Sequence, residues 1–362
     1  MQKKLIALAI AGLASSAAFA DSNVTIYGLM DFGYVRTSGN DGGLSGAKGT
    51  NRLDSGVSAG NRLGFKGAED LGNGLKAIFE SEFGFSGDQS TGLTSVRHAY
   101  VGVTGGFGTV VGGRLDGVRY GIFNKYDAFA AGTVGNFTQM TGQVDRANSA
   151  VAYISPNWSG FSFVGAYATN IGSQTNALGL SATETNGNDN DGELFTLMGN
   201  YTNGPIDITL DWERVSFDQF MLAGVIPLDK DTVTTIAGSY DFGVVKLRAL
   251  WDKQKLDGRS GLGTLADWRS WFISATAPVG GNFLVKFTYG RTEDKKVSSD
   301  TARKWAIGVD YNLSKRTKLY ADYGSISQDN GSAIGISYVA NTNAGAGLGA
   351  TKGFDIGVQH KF

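Results

Sequence analysis

Apolar and polar side chains alternate along this chain in segments of about ten residues, each bounded by Gly, Asn, Asp or Ser. In the last segment Phe354, Ile356, Val358, His360 and Phe362 fall on one face, and Asp355, Gly357, Gln359 and Lys361 on the other. Trp305, Ile307, Val309 and Tyr311 alternate with Lys304, Ala306, Gly308 and Asp310 in the same way. So do Val245, Leu247, Ala249 and Trp251 against Lys246, Arg248, Leu250 and Asp252, and Ile206, Ile208, Leu210 and Trp212 against Asp207, Thr209, Asp211 and Glu213. Successive side chains of a strand point to opposite faces, so this period of two predicts strands with one apolar face. A soluble β-sandwich alternates as well, and the period alone leaves both architectures open.

Three features favour a membrane barrel. Aromatic residues end the apolar faces, as Trp212, Trp251, Tyr289, Trp305, Tyr311 and Phe362 do, which suits the interfacial girdles of a barrel in lipid. Connections alternate in length: 70–73, 105–107, 156–160, 203–204 and 242–243 are tight, whereas 37–58, 115–145, 171–191 and 328–350 are long. The polar face also carries too many Lys, Arg, Asp and Glu for a dry core. Strand candidates begin near residues 24, 61, 74, 95, 108, 147, 161, 193, 205, 232, 244, 267, 282, 301, 315 and 351. The expected fold is therefore all-β: a transmembrane antiparallel β-barrel of about 16 strands, too wide for side chains to fill, with an aqueous lumen.

Composition agrees with strands and turns, since 54 glycines and 41 aromatic residues accompany only 4 prolines. Residues 1–20 read as a cleaved signal peptide: Lys3 and Lys4 precede an apolar run from Leu5 to Leu13, and Ala18-Phe19-Ala20 supplies the cleavage pattern. Its removal takes two lysines and leaves one domain over 21–362 with 30 basic and 33 acidic side chains. That balance provides no footprint for nucleic acid. The absence of cysteine excludes a disulfide-stapled scaffold. Beyond residue 20 no run of about 18 apolar residues could form a spanning helix.

Candidate catalytic groups are poor, so no enzyme is expected, and no cofactor or metal. The two histidines, His98 and His360, are read as interfacial or packing residues. Glu80 and Glu82 could form a carboxylate pair but are read as lining the lumen. The acidic segment 189–193 lacks the ligand spacing of a calcium hand. Gly345, Gly347 and Gly349 form no dinucleotide fingerprint, because no strand-to-helix pattern surrounds them. The Gly-Ala stretch from Asn343 to Ala350 is read as an outer loop.

The segment NRLGFKGAEDLGNGLKAIFESE at 61–82 resembles the second and third strands of general Gram-negative trimeric porins, especially the neisserial and burkholderial type. VTIYGLMDFG at 24–33, VRHAYVGVTGGFGTVVGGR at 96–114 and GVQHKF at 357–362 match too. The resemblance implies sixteen strands, a homotrimer in the bacterial outer membrane, and a third loop, about 115–145 here, folded inward as a constriction. It implies a basic wall of Arg62, Arg97 and Arg146, with Arg114 added beside them. On or next to the loop lie Arg119 and Lys125, with Asp127 and Asp116 expected as the opposing charge. Enterobacterial relatives carry an acidic PEFGG-like stretch where this chain has Ala131-Gly132-Thr133-Val134-Gly135, so mild anion selectivity is expected for passively diffusing ions and small hydrophilic solutes. Arg62 and Arg97 could instead simply brace the wall. Phe362 is expected to serve as the assembly signal read by the barrel-assembly machinery, besides its place in the girdle. The implied partners are outer-membrane lipid and lipopolysaccharide, and small polar or anionic solutes. A substrate-specific channel with a saturable site and a non-conducting structural barrel or adhesin are the alternatives.

Overall fold

A computed structural model describes residues 24–39, 51–90, 92–130, 132–142, 144–171, 192–217, 221–222, 226–296, 301–329 and 350–362. The signal-peptide segment, residues 189–191 of the acidic stretch, the Gly-Ala stretch to residue 349, and residues 40–50, 172–191 and 330–349 of the long connections lie outside them.

The strands are β1 (Thr25–Ser38), β2 (Asn51–Ser55), β3 (Arg62–Gly72), β4 (Leu75–Phe85), β5 (Leu93–Gly105), β6 (Gly108–Asp116), β7 (Arg146–Ile154), β8 (Phe161–Asn170) and β9 (Glu193–Asn203). They continue with β10 (Ile206–Ser216), β11 (Met221–Leu222), β12 (Ile226–Asp241), β13 (Lys246–Gly258), β14 (Gly263–Val279), β15 (Phe283–Asp294), β16 (Thr301–Asn312), β17 (Thr317–Asp329) and β18 (Lys352–Lys361). Each wall strand pairs antiparallel with its sequence neighbour, and β1 pairs with β18 to close the sheet on itself. Sixteen strands make the wall; β2 and β11 are short pieces hydrogen-bonded to β1 and β12. Closure leaves no sheet edge in lipid, which is what lets strands cross a membrane.

The alternation resolves into an inverted protein. On β10, Ile206, Ile208, Leu210 and Trp212 are 38 to 56% exposed, while Asp207, Thr209, Asp211 and Glu213 between them are 0 to 7% exposed. Apolar side chains therefore face outward to lipid and the polar ones inward. Trp251, Trp271, Trp305 and Phe362 stand on the outer surface with them, and rings pair across strands, as Phe195 with Trp212 at 5.9 Å does. Tight turns follow turn chemistry: between β3 and β4, Asn73 and Gly74 both take positive φ (52° and 78°), a geometry that suits the twist of a hairpin.

Between β6 and β7 the chain turns into the lumen. Its first part is α1 (Val118–Tyr126), whose Arg119, Ile122, Phe123 and Tyr126 fall at helical spacing and are buried against the wall. A single 3-10 turn follows at Thr138–Met140. Phe123 and Phe137 pack on Phe272 of β14, with ring centroids 6.1 and 4.9 Å away. The apolar cluster of the lumen, with Val57, Val134, Leu250 and Ile326, thus lies between loop and wall.

Candidate functional site: the constriction

Loop 117–145 is fastened along the inner wall of β10 to β18 by a succession of polar contacts. Arg119 pairs with Asp252 of β13 and donates to the Gly142 carbonyl and the Thr141 hydroxyl. The Tyr126 hydroxyl donates to Asp207, and Ser274 donates to the Tyr126 carbonyl at 2.7 Å. Thr292 donates to the Met140 carbonyl at 2.7 Å, Lys304 to the Asn136 carbonyl, and the Val134 amide to Asp355 at 2.7 Å. The loop tip meets the bend between β2 and β3, where the Thr133 amide donates to the Val57 carbonyl at 3.1 Å. Gly132 lies so close to the Ser58 carbonyl that a Cβ has no room.

Across from the loop, β3, β5 and β7 bring Arg62, Arg97 and Arg146 together. Arg97 bonds Glu82 at 2.5 Å, Arg62 approaches the same carboxylate at 3.7 Å, and Arg146 is ion-paired with Asp116 at 3.1 Å. Arg146 also lies over the Tyr120 ring of α1, 5.3 Å from its centroid. Arg97 reaches this face because the β4–β5 register shifts between Glu82 and Phe83. His98 faces Glu82 and Val96 faces Phe83, so Arg97 is the extra residue of a β-bulge and turns inward beside His98.

The other expected site residues occupy different places. Arg114 lies opposite Ala99 on β5 and donates to the Val96 carbonyl and to Asn148. Arg119 is fully buried as a loop anchor. Lys125 bonds Asp207 at 2.6 Å. Asp116 stands among the basic side chains, touching Arg146 and, at 3.5 Å, His98. Asp127 is not presented to the arginines: it is buried and accepts from the Phe129 amide (3.1 Å), the Phe137 amide (2.9 Å) and Thr288 (3.3 Å). A short carboxylate just before a turn takes the Phe129 amide locally, and the fold of the loop brings the Phe137 amide to its other oxygen, which is why Asp127 folds the loop instead of facing the pore.

Sequence reasoning placed His98 in an interfacial or packing role; it points into the lumen and bridges Glu80 at 3.1 Å and Asp116 at 3.5 Å. Glu80 also accepts from Tyr27 and Tyr100, at 2.5 and 2.8 Å. His360 stands on the outer face, bonded to Thr317 at 2.8 Å. Tyr120 went unnoticed, and only the helical spacing of Arg119, Ile122, Phe123 and Tyr126 could have oriented it toward the arginines.

Electrostatics in the loop report the field of this wall. Burial pushes the Tyr120 phenol up, but Arg97, Arg146 and Arg62 outweigh it and hold the group below its ordinary value. Burial raises the Asp127 carboxyl above the ordinary range, against the Phe129 and Phe137 amides and Lys304. Burial also lowers Lys125, partly offset by Asp207. Three guanidinium groups thus act together on the Tyr120 phenol at this wall.

Fold and site together define a membrane channel: a closed barrel with a polar interior, narrowed by one of its own loops. The chain belongs to the Gram-negative porin family, whose model, described as "Gram-negative porin", matches residues 7–331. Outer membrane porin protein 32 of Delftia acidovorans is 31% identical, over all of both chains. An anion-selective porin from Comamonas acidovorans superimposes with a TM-score of 0.78 at 28% identity, over 94% of this chain and 100% of that one. The outer membrane protein OmpT of Vibrio cholerae, in its trimer form, shares the fold alone, with a TM-score of 0.69 at 16% identity over 94% and 99% of the two chains. This protein is thus an outer-membrane porin, a channel for ions and small hydrophilic solutes.

Proposed function

We propose that the chain assembles as a homotrimer whose pores pass solutes passively, without catalysis, and favour anions, with Arg62, Arg97 and Arg146 setting that preference. One observation carries the reading: cations reach the lumen and their acidic partners lie behind them. The Arg62, Arg97 and Arg146 side chains are 23, 12 and 15% exposed, whereas Glu82 is 4% and Asp116 9% exposed. Among charged residues 117–145 contain only Arg119, Lys125, Asp127 and Asp145; Asp127 is turned into the loop, and Asp145 lies at its end, next to Arg146. An anion at the narrowing meets guanidinium groups first.

In this reading Arg119 and Asp127 hold the loop in place, Asp116 orients Arg146, and Lys125 adds a weaker, Asp207-paired cation. Residues 1–20 are removed on export, the rest is one domain, and Phe362 acts as the assembly signal in the outer membrane. The anion-selective relative and the trimeric solved structure support the assignment.

The test is conductance of the purified, unboiled protein in a planar bilayer under a salt gradient. Steps in threes and a reversal potential on the anion side are expected. A cation-side potential would refute the charge preference, and silence from folded protein would refute the open pore.

A further inference from the structure

His98 stands in the constriction wall with a carboxylate facing each of its ring nitrogens. It lies on β5 beside the bulged Arg97, and its side chain is 13% exposed. Nε2 meets Glu80 of β4 at 3.1 Å, and Nδ1 faces Asp116 of β6 at 3.5 Å. Glu82, opposite His98 in the β4–β5 register, acts on the ring electrostatically as well. A neutral imidazole carries one N–H, so its other nitrogen would turn a lone pair toward a carboxylate. Only the imidazolium donates at both ends.

The acids around the ring differ in what else holds them. Glu82 has Arg97 and Arg62, and Asp116 has Arg146. Glu80 accepts from the phenols of Tyr27 and Tyr100, and among the described residues His98 is its only ion-pair partner. Lys66 lies opposite Glu80 on β3, but its ammonium sits over the Tyr27 ring, 5.2 Å from the centroid. The Tyr100 ring stands 6.0 Å from the imidazole, Tyr120 of α1 lies under Arg146, and Asp145 precedes Arg146 in the chain. The proton on His98 therefore decides whether Glu80 is half of an ion pair or a bare anion on the same wall as the three arginines.

We propose that His98, held as a cation between Glu80 and Asp116, is the fourth selectivity residue of the constriction: its charge cancels that of Glu80, which would otherwise draw cations to the arginine wall. This role rests on the anion preference proposed above and makes that preference depend on pH.

Reversal potentials in a KCl gradient are recorded for wild type and His98→Gln from neutral to alkaline pH. A unit charge about 7 Å from the ion path, screened at about 0.1 M salt, changes the anion-to-cation permeability ratio about threefold. At neutral pH His98→Gln should lie about threefold toward cations. With rising pH the wild-type ratio should fall to that of the variant as the ring loses its proton, and the variant should lack this step. Tyr27, Tyr100 and Tyr120 are common to both proteins and cancel in the comparison. Equal ratios at neutral pH, or a variant that keeps the wild-type step, overturn the proposal. The readout is a difference from wild type, so a cation-preferring wild type refutes the proposed anion preference without deciding the role of His98. A second measurement leaves His98 in place: His360→Gln makes it the only imidazole in the chain. Nitrogen NMR spectra of that protein, isotope-labelled at histidine and held in lipid, should show both ring nitrogens protonated at neutral pH. A neutral tautomer there overturns the proposal.

Discussion

Replacing Arg62 with Gln isolates the contribution of one guanidinium to ion choice. Arg62 is the most exposed of the three arginines and only approaches Glu82, at 3.7 Å, while Arg97 keeps its own 2.5 Å bond to the same carboxylate. The substitution therefore removes a charge from the lumen without orphaning the acid. A unit charge acting across about 5 Å of water is worth about 0.8 kcal/mol, reduced to about 0.5 kcal/mol by screening at about 0.1 M salt. Anion and cation feel it with opposite sign, so the permeability ratio should change by about 1 kcal/mol, or about fivefold toward cations. Reversal potentials of single channels in a KCl gradient measure it. The same substitution should count for less than about twofold near 1 M salt, where the screening length is about 3 Å. A ratio unchanged at low salt would make Arg62 a brace for Glu82 and remove it from the selectivity argument.

Asp252→Asn leaves Arg119 buried without its bonded anion, so unfolding free energy should drop by about 3 kcal/mol, the low end for breaking a buried pair because Asp211, Glu213 and Asp231 remain nearby. Denaturant unfolding reads this, and open-channel current noise should rise as the loop loosens; an unchanged midpoint would contradict the anchor. For Asp127, whose folded carboxyl is raised by burial, the stabilising contribution is fully present below the ordinary carboxylate range and is lost as pH rises through the folded value. The melting temperature of wild type relative to Asp127→Asn should therefore climb as pH falls from neutral, and a pH-independent difference would refute the burial argument. Deleting Phe362 removes two seam hydrogen bonds with Gly28, each 3.1 Å, worth about 2 kcal/mol together, and the ring packed over Gly28. The fraction of protein reaching the heat-modifiable folded form should fall, and normal assembly would exclude a role for this residue.

The wall was legible from the chain because lipid and water impose opposite demands on adjacent residues, and that contrast prints itself as a period of two. It fades at the rims. There β12 begins at Ile226, where 232 was expected, and β14 at Gly263, where 267 was expected, because the run Ile226-Pro227-Leu228-Asp229-Lys230 no longer sorts into two faces. The constriction was harder for a related reason. Arg97 turns inward through a bulge that breaks strict alternation, and Asp127 is diverted to amides that only the folded loop presents. His98 looked like packing because its partners Glu80 and Asp116 sit on different strands, 18 residues away in each direction. Asp211, Glu213 and Asp252 were legible only as polar positions, since their gathering around Arg119 is a property of the assembled wall and loop.

The junction of β1 with β18 has a consequence for how the molecule is made. Leu29 pairs with Lys361, a contact spanning nearly the whole polypeptide, while almost every other strand pairing is between sequence neighbours. Hairpins can form locally and early, but this final zipper must wait until the terminal strand has arrived. Until then the sheet is an open ribbon with two unpaired margins, the condition in which strands recruit foreign chains. Export of this polypeptide therefore carries a window of vulnerability as long as the delay between its first strand and its last, and a holdase that shields ribbon margins would matter most in that interval.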